Sequence, residues 1–349
     1  MASTLVGLEI TEESVRAVEL RRGKTPLLVA AGEIALPAEA ARDSEVLDRD
    51  VVAMALRQLW STFDFKAREV TLGIGSRRIL VREYTTQAMA PDMLRQALPY
   101  QVQDLLPVPA NQAVLDFYPV AQNGDQVSGL LVAAVAETIE QLIATTDRAK
   151  LKTDAVDLVP FGLARVAKRI AVPGDTVALI HIGDHTSHVV IATDGVPHFV
   201  RILPADVSTP AVRRREEVLT DLVEVPVEEF ALETVPPMPP MPASVTRTRA
   251  ALRTGGAADA SVAELVGRIR STVSFFTNRP GAPRISAIAV SGAGYLAPNV
   301  SESLTRAFDI PVRGLQVADV VKIRSGLALP EELAFNAVST LGVLLGEGS

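Results

Sequence analysis

Between Val6 and Pro37 the chain reads VGLEITEESVRAVELRRGKTPLLVAAGEIALP, and its apolar and polar positions alternate in three short runs, interrupted at ITEES and again at Gly23. A period of two broken by polar turns predicts a three-stranded antiparallel meander. In DRDVVAMALRQLWSTFDF the spacing changes, because Val51, Val52, Ala55, Leu56, Leu59 and Trp60 recur at helical intervals. EVTLGIGS and RRILVREYTT return to strand patterning, and PDMLRQALPYQVQDLLPV predicts a helix that opens at Pro91 and stops at Pro107. AVLDFYPVAQ and VSGLLVAAVAE flank an Asn123-Gly124 turn and predict a hairpin. Two further helical patterns, ETIEQLIATTDRAK and PFGLARVAKRIAV, enclose the strand-like TDAVDLV.

From Asp175 the opening pattern starts again. VALIHIGDHTSHVVIATDGVPHFVRILP repeats strand, polar turn, strand, glycine turn and strand, with Glu9 matching His181, Ile10 Ile182, Ser14 Thr186 and Gly23 Gly195 at a common offset of 172. A shared register of that length predicts two similar α/β halves, each opening on the same meander.

Composition narrows the function classes. A chain of 349 residues that is 48% hydrophobic builds two or three packed units, and a net charge of -7 without a basic stripe argues against a nucleic-acid or anionic-membrane binder. Arg213, Arg214 and Arg215 read as a solvated helix face. With no cysteine, thiolate chemistry, disulfides and Cys-ligated metals are excluded. Glu137 and Glu140 cut the longest apolar run, and the N-terminus has no basic segment ahead of an apolar one, so no spanning helix or signal peptide is expected and membrane contact must come through a partner. Five prolines between Pro236 and Pro242, then Gly255 and Gly256, predict an irregular exposed stretch within 204–261.

Two facing halves make a cleft, with the first turn of each meander pointing into it. Such turns hold phosphate through backbone N–H groups and small hydroxyls. The second turn supplies Gly183, Asp184, Thr186 and Ser187; the first supplies Thr11 and Ser14 but inserts Glu12 and Glu13. Near the C-terminus, Gly292, Ala293 and Gly294 form a strand-to-helix turn whose backbone can approach a ligand. His181, His185 and His188 invite a metal reading, which strand geometry disfavours unless the turn brings them together.

The order GLEI…SVRAVEL, LLPVPANQAVLDFYPV, HIGDHTSHVVIATDGVPHFVRIL and SGAGYLAPNVSESLTRAFDIPV resembles the PilM family of type IV pilus assembly, and more distantly the cell-division protein FtsA, over residues 5–203 and 262–346. The resemblance implies an actin-like, ribonuclease H-like α/β fold: two duplicated halves around a nucleotide cleft, with a small inserted subdomain. It implies a first half over 1–83 continued by 137–173 and 330–349, an insert over 84–136 and a second half over 174–329. Its ligands would be ATP and Mg²⁺, with Glu9 as the metal-orienting carboxylate, and its partner the cytoplasmic tail of a PilN-like bitopic membrane protein, held near Leu105, Leu106 and Pro107. A motor ATPase or platform protein would lie beyond that contact, and the chain would sit at the cytoplasmic face of the inner membrane.

The sequence departs from that pattern where nucleotide chemistry would be. Thr11, Glu12 and Glu13 stand where the family places glycine and small residues, His181 stands in an aspartate position, and Gln101 and Gln103 replace glutamates. A glutamate about 4–6 Å from a polyphosphate repels it. ATP hydrolysis is therefore expected to be weak or absent, with no catalytic residue, and the leading expectation is a scaffold. A working actin-like ATPase whose nucleotide state switches partner binding or polymerisation is the alternative.

Overall fold

A computed structural model describes residues 4–23, 25–223 and 244–346. The first half begins with β1 (Thr4–Ile10), β2 (Ser14–Arg21) and β3 (Leu27–Ala35), followed by the two-residue strands β4 (Ala41–Arg42) and β5 (Glu45–Val46), α1 (Arg49–Thr62) and β6 (Glu69–Ile74). The insert comprises β7 (Leu80–Gln87), α2 (Pro91–Gln101), β8 (Ala113–Asn123) and β9 (Gln126–Val135). The first half resumes with α3 (Ala136–Arg148), β10 (Lys152–Leu158) and α4 (Val159–Ile170). The second half runs through β11 (Thr176–Ile182), β12 (Thr186–Thr193), β13 (Val196–Pro204), α5 (Pro210–Val223), α6 (Ser244–Thr277), β14 (Ile285–Ser291), α7 (Val300–Ala307) and β15 (Val312–Gly314). The last elements are α8 (Val317–Val320), β16 (Lys322–Ile323) and α9 (Glu331–Gly342).

The duplication is visible in the element bounds: β1 and β2 shifted by 172 positions fall on β11 and β12. The sheets share one order, β10-β6-β1-β2-β3 in the first half and β15-β14-β11-β12-β13 in the second, with β16 added at the edge of the first. In each sheet the meander is antiparallel and the two remaining strands run parallel to its first strand or to one another. All seven residues of β11 are buried, which is the pattern of a central strand covered on both faces. Between the sheets, α4 packs against α9. Every residue from Leu333 to Gly342 is buried, so α9 is apolar or small nearly all round.

Three expectations change. The insert's first strand begins at Leu80, four residues before the expected boundary at Tyr84. Helix α2 ends at Gln101 rather than Pro107: Pro99 already lies inside it, and the chain tightens into a single 3₁₀ turn over Gln103–Leu105. The stretch expected to be irregular contains α5 and the start of α6, while the proline run lies outside the described residues. Helix α6 is anchored by Val262, Leu265, Val266, Ile269, Val273 and Phe276, whose spacing of three to four buries one face and carries the helix back through Gly255 and Gly256.

Candidate functional site

The turns after β1 and β11 face each other across the cleft, and their hydrogen bonding is equivalent. Thr11 N–H donates to the Ser14 carbonyl at 2.8 Å and Gly183 N–H to the Thr186 carbonyl at 3.0 Å. Glu13 and His185, themselves equivalent at the offset of 172, bond directly: His185 Nε2 donates to Glu13 Oε1 at 2.8 Å. Arg215, from α5, donates to the same oxygen at 2.7 Å, and the Glu13 side chain is 4% exposed. Burial alone would raise the Glu13 pKa, but the bonds from His185 and Arg215 outweigh it and hold the carboxyl below its ordinary value. The bond to Glu13, with Glu12 and Asp184 nearby, raises His185 against the opposing effect of burial.

The hydroxyls expected to meet phosphate are turned inward. Thr11 Oγ1 donates to the Ser14 carbonyl at 3.0 Å, and Ser14 Oγ donates to Glu33 Oε1 at 2.6 Å. Asp184 accepts from Thr209, Thr186 Oγ1 stands 3.5 Å from Asp43, and Ser187 is fully buried. In the third turn, Gly292 N–H goes to the Phe335 carbonyl and Ala293 N–H to Asn336 Oδ1 at 2.7 Å. The glycines there answer to a neighbouring strand: Gly292 has φ +90° and a Cβ on it would lie 2.1 Å from the Ile182 carbonyl oxygen, while one on Gly294 would lie 2.2 Å from the Ile182 side chain.

Glu9 is an anchor of the cleft floor. Its Oε2 accepts from Arg16 Nη2 at 2.9 Å, Ser339 Oγ at 2.8 Å and Thr340 Oγ1 at 3.0 Å, and its Oε1 has no protein partner. At the equivalent place in the second half, β11 and β12 bring the His181 and His188 rings to 6.1 Å. His188 Nε2 donates to the Gly75 carbonyl and His181 Nδ1 shares a hydrogen bond with Ser291. Burial, aided by His188 and Arg16, pushes the His181 pKa well down, and burial also lowers that of His188. The hairpin thus gathers two of the three histidines, both as neutral core groups, and His185 points away to Glu13.

Two cavities result. Glu9, Thr11, Gly183, Asp184, His185 and His188 line one of about 60 Å³, and Glu13, Ser14, Glu33, Arg214, Arg215 and Leu333 line part of another of about 820 Å³. The Glu13–His185–Arg215 contact stands at their boundary. Pockets for drug-sized ligands span about 300–1,000 Å³; the larger cavity lies inside that range, while the smaller is below it and has room for water at Glu9 Oε1. A magnesium ion does not fit there. Arg16 already neutralises Glu9, and the second carboxylate of such a site is replaced by a hydrogen-bonded histidine.

The contacts of the arginine run were not legible in the sequence. Arg215 pairs with Glu13, Arg213 with the Ser208 carbonyl at 2.8 Å and the exposed Arg214 with Glu332 at 3.0 Å, so only part of this run is a solvated face. The signal available was its place at the start of a helix directly after the second meander. Gln101 likewise belongs to the insert's framework, accepting from Thr86 Oγ1 at 3.0 Å. In the insert, α2 and its sheet enclose a groove of about 450 Å³ with walls of Leu94, Leu98, Phe117, Pro119 and Val127 and with Arg95 and Asp116 at the rim. Leu105 and Leu106 pack, partly buried, on the small core of Leu98, Val102, Phe117 and Leu131, and neither they nor Pro107 line that groove.

Two sheets of one strand order, a shared hairpin turn facing the cleft from each, and a pair of helices packed between them define the actin-like class of α/β proteins. A solved structure titled as a PilM–PilN type IV pilus biogenesis complex matches with a TM-score of 0.76 and 20% identity, covering 98% of this chain and 97% of that one. The ethanolamine utilization protein EutJ of Carboxydothermus hydrogenoformans matches with a TM-score of 0.51 and 13% identity, covering 99% and 90%. The family of type IV pilus assembly protein PilM matches residues 7–203, and the chain belongs to it. No curated protein sequence matches the chain.

Proposed function

We propose that the protein is an actin-like scaffold of type IV pilus assembly that holds the cytoplasmic tail of a PilN-like membrane protein on its inserted subdomain. The carrying observation is the apolar groove between α2 and the insert's sheet, in a chain of the PilM family whose cleft turns are bonded to each other. An extended tail places alternate apolar side chains in such a groove and needs no catalytic group. Among the described residues no helix is long and apolar enough to cross a membrane, so a tethered partner would bring the scaffold to the inner face. The inward-turned hydroxyls and the occupied N–H groups of Gly292 and Ala293 favour this reading over a working ATPase. A pilus motor ATPase or platform protein would then be reached through the same complex.

The test is calorimetric titration with a synthetic PilN-like tail. Leu94→Asp puts a charge on the groove wall and is expected to weaken binding at least about tenfold, equivalent to about 1.4 kcal/mol, with the far-UV spectrum unchanged. Full affinity in the folded variant would move the site elsewhere.

A further inference from the structure

The Glu13–His185 bond joins repeat-equivalent residues across the two halves, at the boundary between the two cleft cavities. One carboxylate oxygen serves two cations from the second half, His185 on the turn after β11 and Arg215 on α5. Apart from Glu12, whose nearest oxygen is 3.9 Å from Arg215, no other described carboxylate forms an ion pair with that guanidinium. We propose that Glu13 is an internal anion that latches the two halves shut, and that an external oxyanion competes with it for His185 and Arg215. Closure then needs no bound ligand. Opening requires that Glu13 be neutralised, that His185 lose its charge or that another anion replace the carboxylate. This holds whatever partner the insert binds.

The charged and titratable groups around His185 are Glu12 and Glu13 from the first turn, Asp184 beside it and Arg215 from α5, with Asp43, Arg16 and the buried His188 behind them. The sign of the pH response follows. Because the folded-state pKa of His185 is raised, its contribution is complete below the ordinary histidine value of about 6.5 and is lost as pH rises through the raised value. Because that of Glu13 is lowered, its contribution is present above the ordinary glutamate range and is lost only as pH falls through the lowered value. The latch is therefore strongest in mildly acidic solution and weakens toward alkaline pH.

The chain has no cysteine, so spin labels at Gln58→Cys on α1 and Thr305→Cys on α7, both exposed, report the distance between the halves without background. The expected result is a single narrow distance distribution in the labelled parent. Glu13→Gln is expected to give a broader and longer one, and inorganic tripolyphosphate is expected to broaden and lengthen the parent's in the same direction while leaving the variant open. In the labelled parent the distribution should also broaden from about pH 5 to about pH 9, a range that brackets the ordinary histidine value, and this response should vanish in His185→Gln. A Glu13→Gln distribution identical to the parent's would overturn the latch. A parent distribution that tripolyphosphate leaves unchanged, or a variant that it closes, would overturn the competition with external anions. If Glu13→Gln does not fold, the pH series decides: a parent distribution that ignores pH, or one that responds equally in His185→Gln, would refute the proposal.

Discussion

Glu9 shows how a residue type can be legible while its role is not. The sequence marks it as a carboxylate at a strand end beside the cleft, and the structure puts it there, yet Arg16, only seven positions on, turns it from a metal-orienting group into half of a buried ion pair. That pairing depends on the β1–β2 register, in which the two residues are direct partners, and on Ser339 and Thr340 arriving from α9 over three hundred residues later. Truncating one member of a buried pair leaves a charge uncompensated, at a cost of about 3–5 kcal/mol. Glu9→Ala is expected near the lower end, about 3 kcal/mol in urea unfolding, because Glu33 still lies 3.3 Å from Arg16. A loss below about 1 kcal/mol, the scale of an exposed pair, would show that Glu9 is no structural anchor. Glu13 was legible as an obstacle to phosphate, but its two partners were not, since neither local spacing nor periodicity reveals what α5 presents to the turn.

At the scale of elements, the meanders were the most legible part. Strict alternation with glycine turns fixes strand type and register together, and the offset read from Glu9 and His181 reappears in the bounds of β1 with β11 and of β2 with β12. Helix ends were less legible. The apolar pattern runs on past Gln101, and only the packing of Val102, Leu105 and Leu106 on the insert's core shows that the last turn is not α-helical. The early part of α6 was hidden because its composition speaks for a loop, while the core-facing stripe that decides the matter comes later in the chain. The insert is tied to the second half by Arg279, which pairs with Glu83 on β7 and lies over the Phe199 and Phe275 rings at 4.9 and 4.6 Å. Arg279→Ala removes both the ion pair and the cation–π contacts. Amide exchange along β7 and β13 is expected to rise several-fold, with β1 and β2 unaffected; unchanged exchange at that seam would show that the insert is held by other contacts.

For the whole molecule, the cleft and the insert divide the work: the paired turns close one side of the cleft, and the groove between α2 and its sheet stands open on the insert. The family match and the shared strand order make it an actin-like member of the PilM family, and we propose that it meets its partner on the insert. Hydrogen–deuterium exchange with and without a PilN-like tail peptide, in the absence of nucleotide, tests that most directly. New protection is predicted on α2 and β8, around Leu94, Leu98 and Phe117, with the turns at Glu13 and His185 unchanged. Binding that requires added ATP, or protection confined to the cleft turns while α2 exchanges as before, would contradict the account.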